Sequence, residues 1–202
     1  MTMKLAPRPH AAVEAAKNEL SRLARTGGFL TPELRAGRIG RLAVSTWHRV
    51  LVLGHKSLTD CPEPIREATE AGWRFFIHRE NRIVAAIEVR RTASGVLRPG
   101  PLTEGPLVDG TVRAFAEAEM LLGDQTVSRE PVLIHAPTLH VTALQVGAMV
   151  IPVAPVDAPF IPFTSMPVPD FAAMLQAVAR RSSAFRGSVS IPGLPRRAMM
   201  TA

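Results

Sequence analysis

Apolar residues Val13, Ala16, Leu20 and Leu23 recur at helical spacing, with Glu14, Lys17, Asn18, Ser21 and Arg22 on the other side. The pattern predicts an amphipathic helix over 9–25, with Pro9 in its first turn and Gly27-Gly28 as its stop. After a polar stretch at 30–41, apolar residues crowd into 42–53 (Val44, Val50, Leu51, Val52, Leu53) and end at Gly54. This reads as a strand. A short helix is expected at 62–71, capped by Asp60 and ended by Gly72. Period-two alternation then dominates. Trp73, Phe75 and Ile77 share one side of a strand, and Arg74, Phe76 and His78 share the other. A second strand at 82–90 makes a hairpin with the first, turning at Glu80-Asn81.

Residues 93–110 are rich in Gly and Pro and read as a long loop, a length often associated with function or mobility. A helix is expected at 111–122, with Ala114, Phe115, Ala118, Leu121 and Leu122 inward. Two or three strands follow in 132–153, broken near Pro137 and Gly147. Six prolines within 152–169 demand an extended arm that cannot be a central strand. A third helix is expected at 170–180. Strands come in groups and do not alternate strictly with helices. The expected fold class is therefore α+β, a mostly antiparallel sheet with the N-terminal amphipathic helix and two further helices packed on it. The expected organisation is a flexible N-terminus (1–8), a single α+β domain (9–180) and a basic flexible tail (181–202).

Composition sharpens this picture in three ways. The 202 residues are 47% hydrophobic and 20% charged, enough to bury a core without cross-links. Cys61 is the only cysteine, so no internal disulfide forms and an oxidising compartment is not required. No secretory signal is read at the N-terminus, and prolines interrupt the most apolar stretch (141–161), which argues against a membrane span; cytoplasmic is the expected location. The net charge of +7 is uneven: residues 1–60 carry 10 basic against 4 acidic side chains, 61–130 carry 9 against 11, and 131–202 carry 5 against 2. Arginine supplies nearly all the cations. Together with the abundant Ala, Pro and Val, this fits a high-GC bacterial coding bias.

Several constellations bear on chemistry. Gly54-His55-Lys56-Ser57 follows a strand and ends like a phosphate loop, but the glycine-rich anion nest that must precede the lysine is missing. No dinucleotide-binding glycine motif is present, and no cofactor is expected. Cys61 at an expected helix N-terminus, with His78, His135 and His140 downstream, sketches a cysteine nucleophile with an imidazole base, although Pro62 and Pro64 flank it. The order Cys then His loosely resembles papain-like hydrolases. For a metal, His78 and Glu80 share a strand face, and His135 and His140 approach across Pro137. Nothing in the sequence brings the two strands together, so no metal is expected. The Glu63, Glu67 and Glu70 row reads as a solvated helix face. Arg35, Arg38 and Arg41, with Arg180, Arg181, Arg186, Arg196 and Arg197, suit phosphate neutralisation. Aromatic residues for stacking are scarce, however, and there is no tyrosine.

The arm offers Phe160, Ile161, Phe163 and Met166 on a proline-stiffened segment. It either docks a partner or folds back to finish the core. The expected function is a non-enzymatic protein-binding or assembly protein contacting a partner or its own copies, with Arg180 and Arg181 contributing. A Cys61-dependent hydrolase or transferase is the alternative, and a nucleic-acid-associated accessory protein a further one.

Overall fold

The structure is a computed structural model that describes residues 9–35, 42–123 and 130–188. Helix α1 (His10–Thr26) precedes a single-turn helix α2 (Pro32–Arg35) and strand β1 (Leu42–Val52). Helix α3 (His55–Asp60) leads to β2 (Thr69–Arg79), β3 (Arg82–Arg91), β4 (Leu97–Thr103) and helix α4 (Pro106–Leu122). Strand β5 (Val132–Ala136), a short 3-10 turn (Pro137–Leu139), β6 (Val141–Val146), β7 (Met149–Val153), β8 (Met166–Pro167) and helix α5 (Val168–Ser188) complete the order. The eight strands form one sheet in the order β4-β3-β2-β1-β5-β6-β7-β8. Every neighbouring pair is antiparallel except β1 and β5. The class is α+β, with two antiparallel meanders joined edge to edge by one parallel pair.

Alternation places the side chains. On β2 and β3, Trp73, Phe75, Ile77, Ala85, Ile87 and Val89 point to one face and pack under Ala12, Val13, Ala16 and Leu20 of α1. Burying each of the large ones contributes roughly 1.5–3 kcal/mol. Ile134, Ala136, Ala143 and Val150 occupy the same face of the second meander, where Phe171, Leu175 and Ala179 of α5 cover them. The register of Leu51 against Ile134 links the two halves of this face. The opposite face carries Val50, Leu133, Leu144 and Ile151 under Ala114 and Ala118 of α4. It also carries Phe76 and Ala86 under Val108. Helix α4 lies tight on the end of β7: a Cβ at Gly110 would stand 2.2 Å from the Ala154 carbonyl oxygen.

Several expectations change. Helix α4 begins at Pro106, five residues before the expected 111, and Leu121, expected inward, is exposed. Residues 62–71 do not form a helix. The helix is α3, ending at Asp60, and Cys61 follows it in extended backbone. Pro62 and Pro64 cannot donate to a helical ladder, and Thr69 onward is claimed by pairing with β1. The Gly/Pro loop at 93–110 contains β4, whose prolines are tolerated because it is the edge of the sheet. Helix α5 starts two residues before the expected 170 and continues to Ser188, through the first part of the expected tail. The rest of that tail, with Arg196 and Arg197, lies outside the described residues, as do Arg38, Arg41 and residues 1–8. No described helix is long and apolar enough to cross a membrane.

Candidate functional site

The proline-rich arm returns to its own body. Phe160 is buried against Phe171, ring centroids 5.6 Å apart. Met166 pairs with Val150 as the short edge strand β8. Phe163 is half-buried with the Arg113 guanidinium 4.2 Å above its ring. Of the four apolar residues on the arm, only Ile161 is exposed.

Helix α5 behaves differently along its length. Phe171, Leu175 and Ala179 face the core. Asp170, Ala173, Ala177, Arg180 and Arg181 are exposed. At about 100° per residue these five fall within one arc of roughly 100° on the helix surface. The stripe begins with an acid, runs through two alanines and ends with two arginines. Beside its N-terminal half lies a groove of about 510 Å³ lined by Pro62, Glu63, Ile65, Ala172 and Ala173 among others. The groove is shaped by the 61–68 loop, which the Gln176 amide holds by donating to the Cys61 carbonyl at 2.6 Å. A second hollow of about 350 Å³ shares Ile65, Arg66 and Gln145 with the first and reaches Arg49 and Glu130. There the Arg49 guanidinium stands 3.4 Å from both Glu70 and Glu130. Burial pushes the Glu130 carboxyl up, against the pull of Arg49.

The other face holds two of the histidines, His48 and His135. His135 on β5 shares a hydrogen bond with the Thr142 hydroxyl of β6 at 3.0 Å. Both line a cavity of about 550 Å³ with Leu107, Pro137, His140, Pro155, Val156 and Asp157. Burial lowers the His135 pKa; Glu88 opposes the shift, while Arg74, Arg90 and His140 add to it. Cys61 is held on the α5 side of the sheet, whereas His135 projects to the α4 side. His78 and Glu80 sit at the β2–β3 hairpin. His78 is registered to Ala43 of β1, and His135 to Val52 of the same strand. Nine residues of strand separate those positions, about 30 Å. Among the described residues no group of three or more His, Cys, Asp or Glu is placed to hold a metal ion.

A buried polar layer under α4 escaped sequence reading. His48 is fully buried, and neither ring nitrogen has a hydrogen-bond partner. It lies between Phe76 and Phe115, both ring centroids 5.2 Å away. Burial, with the Arg74 charge adding to it, depresses the His48 pKa to about 3. Arg74 is 2% exposed, and its Nη1 is 3.7 Å from Glu88, while Nε and Nη2 have no partner. Glu88 also accepts from Arg90 at 3.0 Å. Two guanidiniums therefore share one carboxylate. Removing Arg74 leaves Glu88 paired and relieves an under-bonded buried charge. Arg74→Met is accordingly expected to be neutral or stabilising, by about 0–2 kcal/mol. Urea-unfolding midpoints of the two proteins check this, and a clear loss of stability in the variant would contradict it.

No family model matches the chain, and comparison with curated proteins and with solved structures found no match.

Proposed function

We propose that this is a non-enzymatic assembly protein that pairs with a second copy of itself along α5. The observation that carries the reading is the exposed Asp170-Ala173-Ala177-Arg180 stripe. An antiparallel helix pair with its two-fold axis near position 175 sets Ala173 of one copy against Ala177 of the other. The same operation sets Arg180 against Asp170, twice over. Small residues at the crossing let the helices approach closely, and the end charges fix register and direction. Arg181 of each copy then faces the mouth of the groove containing Glu63 and Pro169 on the other. The core does not need this stripe, since α5 is already anchored through Phe171, Leu175 and Ala179.

A contact built on one helix pair and a groove is small, so a Kd on the order of 10 μM is expected. Sedimentation velocity across a concentration series is predicted to show a monomer–dimer equilibrium that weakens with salt. Ala177→Arg is predicted to give a monomer with an unchanged thermal midpoint, because Ala177 is exposed. A dimer that persists in this variant would place the contact elsewhere. A wild-type protein that remains monomeric throughout would end the proposal.

A further inference from the structure

The cavity beside His135 lies on the α4 side of the sheet and is independent of the α5 pairing. Three elements close around it. Leu107 comes from the first turn of α4, Pro137 and His140 from the turn between β5 and β6, and Val156 and Asp157 from the arm. Helix α4 is fixed beside it, because Gly110 lies against the Ala154 carbonyl with no room for a side chain. The sheet contributes the cross-strand pair His135 and Thr142. A volume of about 550 Å³ with a mainly apolar wall and few polar groups suits a small organic molecule.

The hydrogen bond within that pair fixes what the cavity offers a ligand. Thr142 is 4% exposed, so its hydroxyl needs a partner inside the protein. Among the described residues that partner is His135 Nδ1, at 3.0 Å. Burial lowers the His135 pKa, which keeps the ring neutral near pH 7 with a single N–H. With that proton on Nδ1, the ring would donate to the threonine oxygen and the buried O–H would lack an acceptor, a loss of about 1–3 kcal/mol. With the proton on Nε2, the threonine O–H donates to Nδ1 and both groups are satisfied. The second arrangement is favoured, and it leaves Nε2–H as the free donor of the ring.

A single donor selects by charge. A carboxylate brings about four lone-pair sites, and one N–H leaves most of them stripped of water, at a cost of several kcal/mol. Asp157, the one acid or base of the lining besides the two imidazoles, is exposed at the rim and repels an anion further. An ammonium group needs acceptors, and inside the cavity Nδ1 is already taken. A neutral carbonyl oxygen is satisfied by one N–H. We propose that this cavity binds a small neutral carbonyl compound, such as an amide or ester on a compact apolar body, with its oxygen on His135 Nε2 and its body against Leu107 and Val156.

Benzamide, benzoate and benzylamine have similar shapes and differ in charge. Each is titrated into the whole chain near neutral pH while the histidine imidazole resonances are followed. The nitrogen shifts of the free protein are expected to show His135 as the Nε2–H tautomer. Benzamide is expected to shift the His135 signals saturably and to bind roughly tenfold or more tightly than either charged probe. His135→Phe removes the donor and should cost benzamide about fivefold in affinity. Thr142→Val removes the hydroxyl at constant shape; an Nδ1–H population should appear, with benzamide affinity falling in proportion to it. An Nδ1–H tautomer in the wild-type protein would overturn the proposal. So would benzoate or benzylamine binding as tightly as benzamide, or an absence of any His135 shift at roughly 50 mM benzamide, well above the millimolar Kd such fragments reach.

Discussion

Gly72→Val is expected to be the most damaging single substitution in the sheet, costing about 4 kcal/mol or more. Two independent facts combine. Gly72 has a φ of 140°, which a β-branched residue adopts only with strain, and a Cβ there would stand 2.1 Å from the Val89 carbonyl oxygen and 2.9 Å from the Arg90 Cα. The neighbours are backbone atoms of β3 and cannot step aside. The position also matters topologically, since Gly72 is registered to both Val50 of β1 and Arg90 of β3. Domains of this size hold about 5–15 kcal/mol in total, so the variant should be largely unfolded or retain only a small margin. Gly95→Ala serves as the control. Gly95 also has a positive φ, 82°, but a Cβ there meets nothing within 4 Å. It should cost only the backbone strain, on the order of 1 kcal/mol. Denaturant unfolding of the two variants side by side separates strain from collision, and equal losses would contradict the account.

The second large effect is a pH dependence carried by His48. Its pKa falls from the ordinary 6.5 to about 3 in the folded state because the ring is buried and Arg74 repels the imidazolium. The unfolded chain thus binds a proton that the folded chain refuses throughout the window between those values. Stability contributed by the neutral ring is present above the unfolded pKa and is lost as pH falls through the window, at about 1.4 kcal/mol per pH unit. Moving from pH 7 to pH 5 should therefore cost about 2 kcal/mol, and the full window about 5 kcal/mol. The lowered His135 pKa acts in the same direction. The raised Glu130 pKa acts oppositely, and its contribution is gained as pH falls toward the carboxylate range. His48→Phe should flatten most of the slope, since the pocket between Phe76 and Phe115 accepts a ring without asking for hydrogen bonds. Urea midpoints at several pH values provide the check. A variant with the same slope as the wild type would show that His48 does not carry it.

What the sequence made legible follows from local physics. The alternation of Trp73, Phe75 and Ile77 with Arg74, Phe76 and His78 is a period-two signal that needs no partner to be read. The Glu80-Asn81 turn is equally local, with Glu80 in the left-handed region at a φ of 57°. Helix α1 declares itself through its apolar stripe and ends at Gly27 as expected. The losses come from non-local causes. Residues 69–72 look neutral on propensity, and only pairing with β1 makes them strand. Strand β4 hides in prolines and glycines because an edge position forgives them. The parallel β1–β5 junction joins segments some eighty residues apart and leaves no trace in either.

The site residues divide the same way. That His135 meets Thr142 depends on the register of β5 against β6, which fixes them as direct partners. The arm residue Phe160 reads as a docking anchor from composition, yet it completes the core against Phe171. Arg74 reads as one more exposed strand arginine. Its burial follows from α4 lying across that face, a packing event with no signature in the strand itself. The α5 stripe was partly visible: Arg180 and Arg181 stand out by charge, but their relation to Asp170 emerges only once residues 168–188 are one continuous helix.

Self-association along α5 is tested most directly by exchanging its end charges and measuring mass in solution by light scattering. Asp170→Arg alone and Arg180→Asp alone each place like charges opposite one another across the two-fold axis, and each is predicted to weaken the dimer roughly tenfold or more. The double variant Asp170→Arg with Arg180→Asp restores opposite charges at both ends and is predicted to recover the dimer. Loss of the dimer in both single variants with recovery in the double one is the predicted result; a double variant as weak as the singles, or singles as dimeric as the wild type, would contradict it.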